Sequence, residues 1–185
     1  MTISIQAGRH ARRHNAAATP VAAALAVASV CLLLLQRTIR NTEALLSSTI
    51  VRVMHVRHAQ QVGAVVVFPL RGHYVGYELS IGCTVALLLM PFFLIGAGLM
   101  ASGRVRLRQG LESLAAVTVI LIVVNQLRFL MMASSMALWG FRAGYERSHV
   151  FLGTVLSTIG VVVGVIVFIF LVASERRPEV ADDEL

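Results

Sequence analysis

Leu79-Ser-Ile-Gly-Cys-Thr-Val-Ala-Leu-Leu-Leu-Met-Pro-Phe-Phe-Leu-Ile-Gly-Ala-Gly-Leu-Met100 carries no charged residue and reads as one crossing of a lipid bilayer. A helix needs about 20 mostly apolar residues to traverse ~30 Å of hydrocarbon. Pro91 interrupts the run and is expected to kink it. Outward from this stretch, three more blocks have the same character: residues 17–35, 114–139 and 149–172. The pattern predicts an all-α, polytopic membrane helical bundle of about four transmembrane helices, a single membrane domain over residues 1–185. A competing reading makes the first block a cleaved signal peptide, because Ala26-Val27-Ala28 resembles a small-residue cleavage site.

The longest stretch outside the blocks is 36–78, expected as an outer loop. Within it, Glu43–Val56 reads as an amphipathic helix lying at the interface. Val62–Phe68 is too short to span and ends at Pro69, and Arg71-Gly72-His73-Tyr74 reads as a turn. The tail, 174–185, starts basic and ends acidic.

Composition agrees with the membrane reading. Of 185 residues, 57% are hydrophobic and 14% charged, against about a quarter charged in soluble domains. The formal charge is +7, and every basic residue is Arg. These arginines mostly flank the apolar blocks, where the positive-inside rule uses them, and no basic-aromatic module accompanies them. The lipid bilayer is therefore the expected partner, and nucleic acid is not. The dense trio Arg104, Arg106 and Arg108 in the loop after Met100 sets that loop in the cytoplasm. Both termini then lie in the cytoplasm as well, as in a multi-pass protein of the prokaryotic plasma membrane.

Few polar residues remain inside the blocks. A charged side chain within a span is costly and is a functional candidate by default; Arg128 is the one deep in a block, with Asn125 on the same helical face. The plainer reading pairs Arg128 with Glu78 or lets it snorkel outward. Alternating span directions set Cys83, Arg128 and His149 on the same leaflet. A thiol becomes nucleophilic beside a cation, a His can take and return its proton, and an Arg can stabilise an oxyanion. Gly153, Ser157, Gly160 and Gly164 follow His149 on one stripe. Such small-residue spacing lets membrane helices approach closely, so the stripe is expected to face the bundle.

The order of Glu78-Leu-Ser-Ile-Gly-Cys83-Thr84, Asn125-Gln-Leu-Arg128 and Ser148-His149-Val-Phe-Leu-Gly153 resembles the exosortase/archaeosortase family over roughly residues 62–170. The resemblance implies a membrane-embedded cysteine protease or transpeptidase. Its partners would be exported proteins with a C-terminal sorting signal (a short motif, a hydrophobic span and a basic cluster), cleaved at the outer leaflet. Cys83 would be the nucleophile, Arg128 the essential cation and His149 the third catalytic member. Some members use an Arg as third residue, a role open to Arg142 or Arg147, while Asn125 would support Arg128. Many relatives carry Cys-Ser-Gly where this chain has Cys83-Thr84-Val85.

Other chemistries find less purchase. Cys31 lies about level with Cys83 and invites a redox pair, with a buried apolar thiol as the plain alternative. His55, His58 and His73 lack a Cys or carboxylate at metal-ligand spacing, so no cofactor or metal is expected. A transporter would show intramembrane carboxylates or paired broken helices. The alternative to an enzyme is a non-enzymatic four-helix assembly or scaffolding subunit, with Arg128 pairing to a partner helix.

Overall fold

The structure is a computed structural model that describes residues 3–54 and 58–174, with side chains from 18 onward except 149 and 150. The 174–185 tail beyond Ser174 and His55 lie outside the described residues. Among the described residues there are six α-helices: α1 (Ile3–Leu34), α2 (Gln36–Val53), α3 (Val85–Ala101), α4 (Leu107–Trp139), α5 (Phe141–Glu146) and α6 (Gly153–Ser174). A π-helical turn, Arg147–Leu152, joins α5 to α6.

Among the described residues two helices, α4 and α6, are long and apolar enough to cross a membrane, and α1 from Ala18 onward with α2 forms a third candidate bent by 73°. At the bend, Leu35 leaves helical geometry (φ −91, ψ 11). All of the predicted first block but Leu35 thus lies inside the longer α1, and α3 is apolar but shorter than the span expected over 79–100. At ~1.5 Å per residue α3 measures about 26 Å, slightly less than the hydrocarbon thickness. Its start is displaced for a local reason: Ile81–Cys83 form a 3-10 turn, and Thr84 caps the helix by accepting from the Ala86 amide at 3.4 Å.

Within residues 36–78, α2 covers most of the helix expected over Glu43–Val56, and the all-α expectation is corrected by a small sheet. Strands β1 (Gln60–Val62), β2 (Val65–Leu70) and β3 (His73–Glu78) form an antiparallel meander in the order β1-β2-β3. Its second turn uses Arg71 (φ 50) and Gly72 (φ 86). Positive φ at both positions matches the type I′ turn, whose twist suits a two-residue hairpin.

Two apolar cores stack along α4. One gathers Val85, Leu89 and Phe92 of α3, Leu114, Val117 and Leu121 of α4, and Phe168 of α6, with Leu25 and Leu32 of α1 against it. The other joins the sheet and α2 to the far half of α4, through Val66, Phe68, Tyr77, Ala44, Val51, Phe129, Met132 and Met136. Tyr77 stacks on Phe129 and shares a 2.8 Å hydrogen bond with Ser47. Burial pushes its phenol up to about 12, so it stays protonated in this cap. About 50 Å long, α4 outruns the bilayer and supports both cores. The glycine stripe of α6 faces inward, with Gly153, Gly160 and Gly164 all buried.

Candidate active site

Cys83 ends the 3-10 turn and sits two residues before the first residue of α3, not within a spanning helix. Ser80, Ile81 and Gly82 before it are exposed, while Cys83 itself is 3% exposed. Arg128, half-buried on α4, donates from Nη2 to Cys83 Sγ at 3.3 Å and from Nη1 to Ser157 Oγ of α6 at 3.2 Å. Ser80 Oγ donates to the same sulfur at 3.1 Å. The sulfur therefore accepts from two donors, one of them a fixed cation. A hydrogen bond from a charged donor is shorter and stronger than one between neutral groups.

The guanidinium is held on three sides. Cys83 and Ser157 take its two terminal nitrogens, and Gly153 lies against the third, where an added Cβ would stand 2.8 Å from Nε. Nε itself is buried without a hydrogen-bond partner. The small-residue stripe thus does more than pack α6 on α4: it leaves room for Arg128.

A second polar knot, which sequence reasoning passed over, braces this contact. Glu43 of α2 is buried, and its Oε1 accepts from Asn125 Nδ2 at 2.7 Å and from the Val85 amide at 3.0 Å. Its Oε2 accepts from Thr84 Oγ1 at 2.8 Å. One carboxylate therefore ties the residues that follow Cys83 to the residue one turn before Arg128. The signal available was its place on an amphipathic helix, the face of which a sequence does not orient. Asn125, expected beside Arg128, serves Glu43 instead, so its link to the cation is indirect. Arg40 completes the brace by donating to the Leu79 carbonyl at 3.1 Å.

The remaining expected residues stand apart. Arg142 is exposed and pairs with Glu146 at 3.4 Å. Arg147 is exposed and lies 5.8 Å from the centre of the Trp139 ring. His149 falls in the π-helical turn, with its side chain outside the described residues. Glu78 is exposed on β3, so the plain pairing does not describe Arg128. Cys31 and Cys83 are both free thiols. Among the described residues no three His, Cys, Asp or Glu side chains are grouped to hold a metal ion. An apolar cavity of about 370 Å³ lies away from the thiol, between α3 and the C-terminal half of α6, lined by Phe92, Ile95, Leu99, Phe168 and Ile169 among others.

No known family matches the chain, and no curated protein or solved structure is significantly similar to it.

Proposed function

We propose that the chain is a membrane-embedded cysteine peptidase or transpeptidase of the exosortase type, crossing the prokaryotic plasma membrane four times and acting at the outer leaflet on C-terminal sorting signals of exported proteins. The observation that carries the reading is the 3.3 Å contact from Arg128 Nη2 to Cys83 Sγ. In the sequence the two residues are far apart, on separate apolar blocks, and a half-buried cation facing a thiol has a chemical use.

In this reading the Cys83 thiolate adds to the scissile carbonyl, and the carbonyl oxygen takes up the negative charge. Arg128, no longer needed to balance the thiolate, turns its donors to that oxyanion. The intermediate collapses to a thioester as the C–N bond breaks, and His149 gives the departing amine the proton first taken from the thiol. An acceptor amine or water then attacks the thioester, the C–S bond breaks, and Cys83 is regenerated.

One observation favours the alternative of a non-enzymatic assembly subunit: the Cys83 side chain is almost fully buried. Co-expression with an epitope-tagged exported protein bearing a motif, a hydrophobic span and a basic cluster separates the two. Cys83→Ala is expected to abolish processing. Arg128→Lys keeps the charge but loses the planar donor pair, and is expected to lower processing by about 10²-fold or more. Normal processing by Cys83→Ala would leave the assembly reading standing.

A further inference from the structure

The sheet presents an unpaired edge that runs into the candidate site. In the order β1-β2-β3, strand β3 pairs with β2 alone among the described residues. The pairing phase says which of its main-chain groups are free. Leu70 and His73 flank the two-residue turn and form a hydrogen-bonded pair, and such pairs then alternate with open ones. His73, Val75 and Tyr77 thus turn their N–H and C=O toward β2, and the Leu79 amide extends the phase by donating to the Ala64 carbonyl at 2.8 Å. Pro69, which has no N–H, stands opposite Tyr74, where that phase asks for none. Tyr74, Gly76 and Glu78 therefore direct their N–H and C=O groups away from the sheet.

Edges of this kind are usually blunted by Pro, Lys, a bulge or a covering segment. Residues 73–78 contain neither Pro nor Lys, their pairing with β2 runs without a bulge, and Tyr74 is 70% exposed. Beyond Glu78 the chain goes straight into Ser80-Ile81-Gly82-Cys83. Arg40, bonded to the Leu79 carbonyl, fixes the direction of that passage.

We propose that the free edge of β3 is the substrate-binding rail: an extended segment of an exported polypeptide adds to it as a fourth strand, through main-chain hydrogen bonds to Tyr74, Gly76 and Glu78, and is led to Cys83. This rests on the cysteine-peptidase reading. Strand addition draws affinity from main-chain groups and tolerates varied side chains, which suits an enzyme that meets many exported proteins. A second copy of this chain on the same edge would occupy the path to Cys83, so an incoming peptide is the occupant the position favours.

Proline replacements test the rail, since they remove an outward N–H without touching the β2–β3 ladder. With the same tagged target, Tyr74→Pro and Glu78→Pro are each expected to cut processing about tenfold, the worth of roughly one lost hydrogen bond with its steric block. Gln61→Pro, at an outward position on the opposite edge, is expected to process normally, and membrane abundance reports folding in all three. A second measurement does not need catalysis. In a Cys31→Ser, Cys83→Ala background, disulfide trapping pairs Tyr74→Cys or Glu78→Cys with single cysteines placed along the target's motif. The target position that traps best should move by four residues between the two variants, the register of paired strands. Processing by Tyr74→Pro and Glu78→Pro at the unaltered level would overturn the rail while Cys83→Ala still abolishes activity. Trapping without register, or trapping only between two copies of this chain, would overturn it too. Normal processing by Cys83→Ala would instead remove the peptidase reading.

Discussion

At the scale of single residues, the site depends on what surrounds Arg128 as much as on Arg128 itself. Gly153 is the plainest case, because a methyl there would stand 2.8 Å from Nε, closer than packed atoms tolerate. Gly153→Ala is expected to displace the guanidinium and lower target processing by about tenfold or more, with membrane abundance little changed. Wild-type processing would show that the guanidinium can shift at no cost. Glu43 gives a prediction of another kind. Glu43→Ala orphans the Val85 amide, Thr84 Oγ1 and Asn125 Nδ2, at about 1–3 kcal/mol for each buried group left unsatisfied. The protein should melt at clearly lower temperature in detergent, and Glu43→Gln, which keeps one acceptor oxygen, should fall between. Cys83 and Arg128 were legible in the sequence because polar residues stand out in apolar blocks. Glu43 was not, since its burial depends on α2 folding back along α4, which no local pattern encodes.

At the scale of elements, hydropathy located the helices but not their ends. The apolar run beginning at Leu79 looks continuous, yet Thr84 caps α3 and the preceding turn remains outside it. That shift puts Cys83 on a turn rather than along a helix. The strands were missed because each is short and the apolar run Val62–Phe68 carries no clean alternation; of the turn expected over Arg71-Gly72-His73-Tyr74, Arg71 and Gly72 make the turn while His73 and Tyr74 open β3. The approach of α5 to α4 offers a test at this scale. A Cβ on Gly144 would meet the Ser135 carbonyl and come 2.6 Å from Met136 Cα, contacts with backbone that cannot move aside. Gly144→Ala is therefore expected to push α5 away and disturb the π-helical turn that follows. Reduced abundance or a lowered melting temperature would register this, and wild-type stability would show that the contact is slack.

At the scale of the whole molecule, α4 carries two cores: one set among apolar helices, the other capped by α2 and the sheet. The proposed orientation places the cap outside the cell and the Arg104–Arg108 loop within. Single cysteines in a background lacking Cys31 and Cys83 test it. Tyr74→Cys should react with a membrane-impermeant maleimide in intact cells, while Ser102→Cys should react only after permeabilisation; the reverse pattern would invert the topology. The central claim is that Cys83 forms a covalent bond to the substrate. Acid-quenched membranes from cells co-expressing the chain and its tagged target can be digested and analysed by mass spectrometry for an acyl group on the Cys83 peptide. The account predicts a hydroxylamine-labile adduct there, ending at the target's cleavage point and absent from Arg128→Lys. A target that is cleaved while Cys83 never carries an adduct, and is still cleaved by Cys83→Ala, would contradict it.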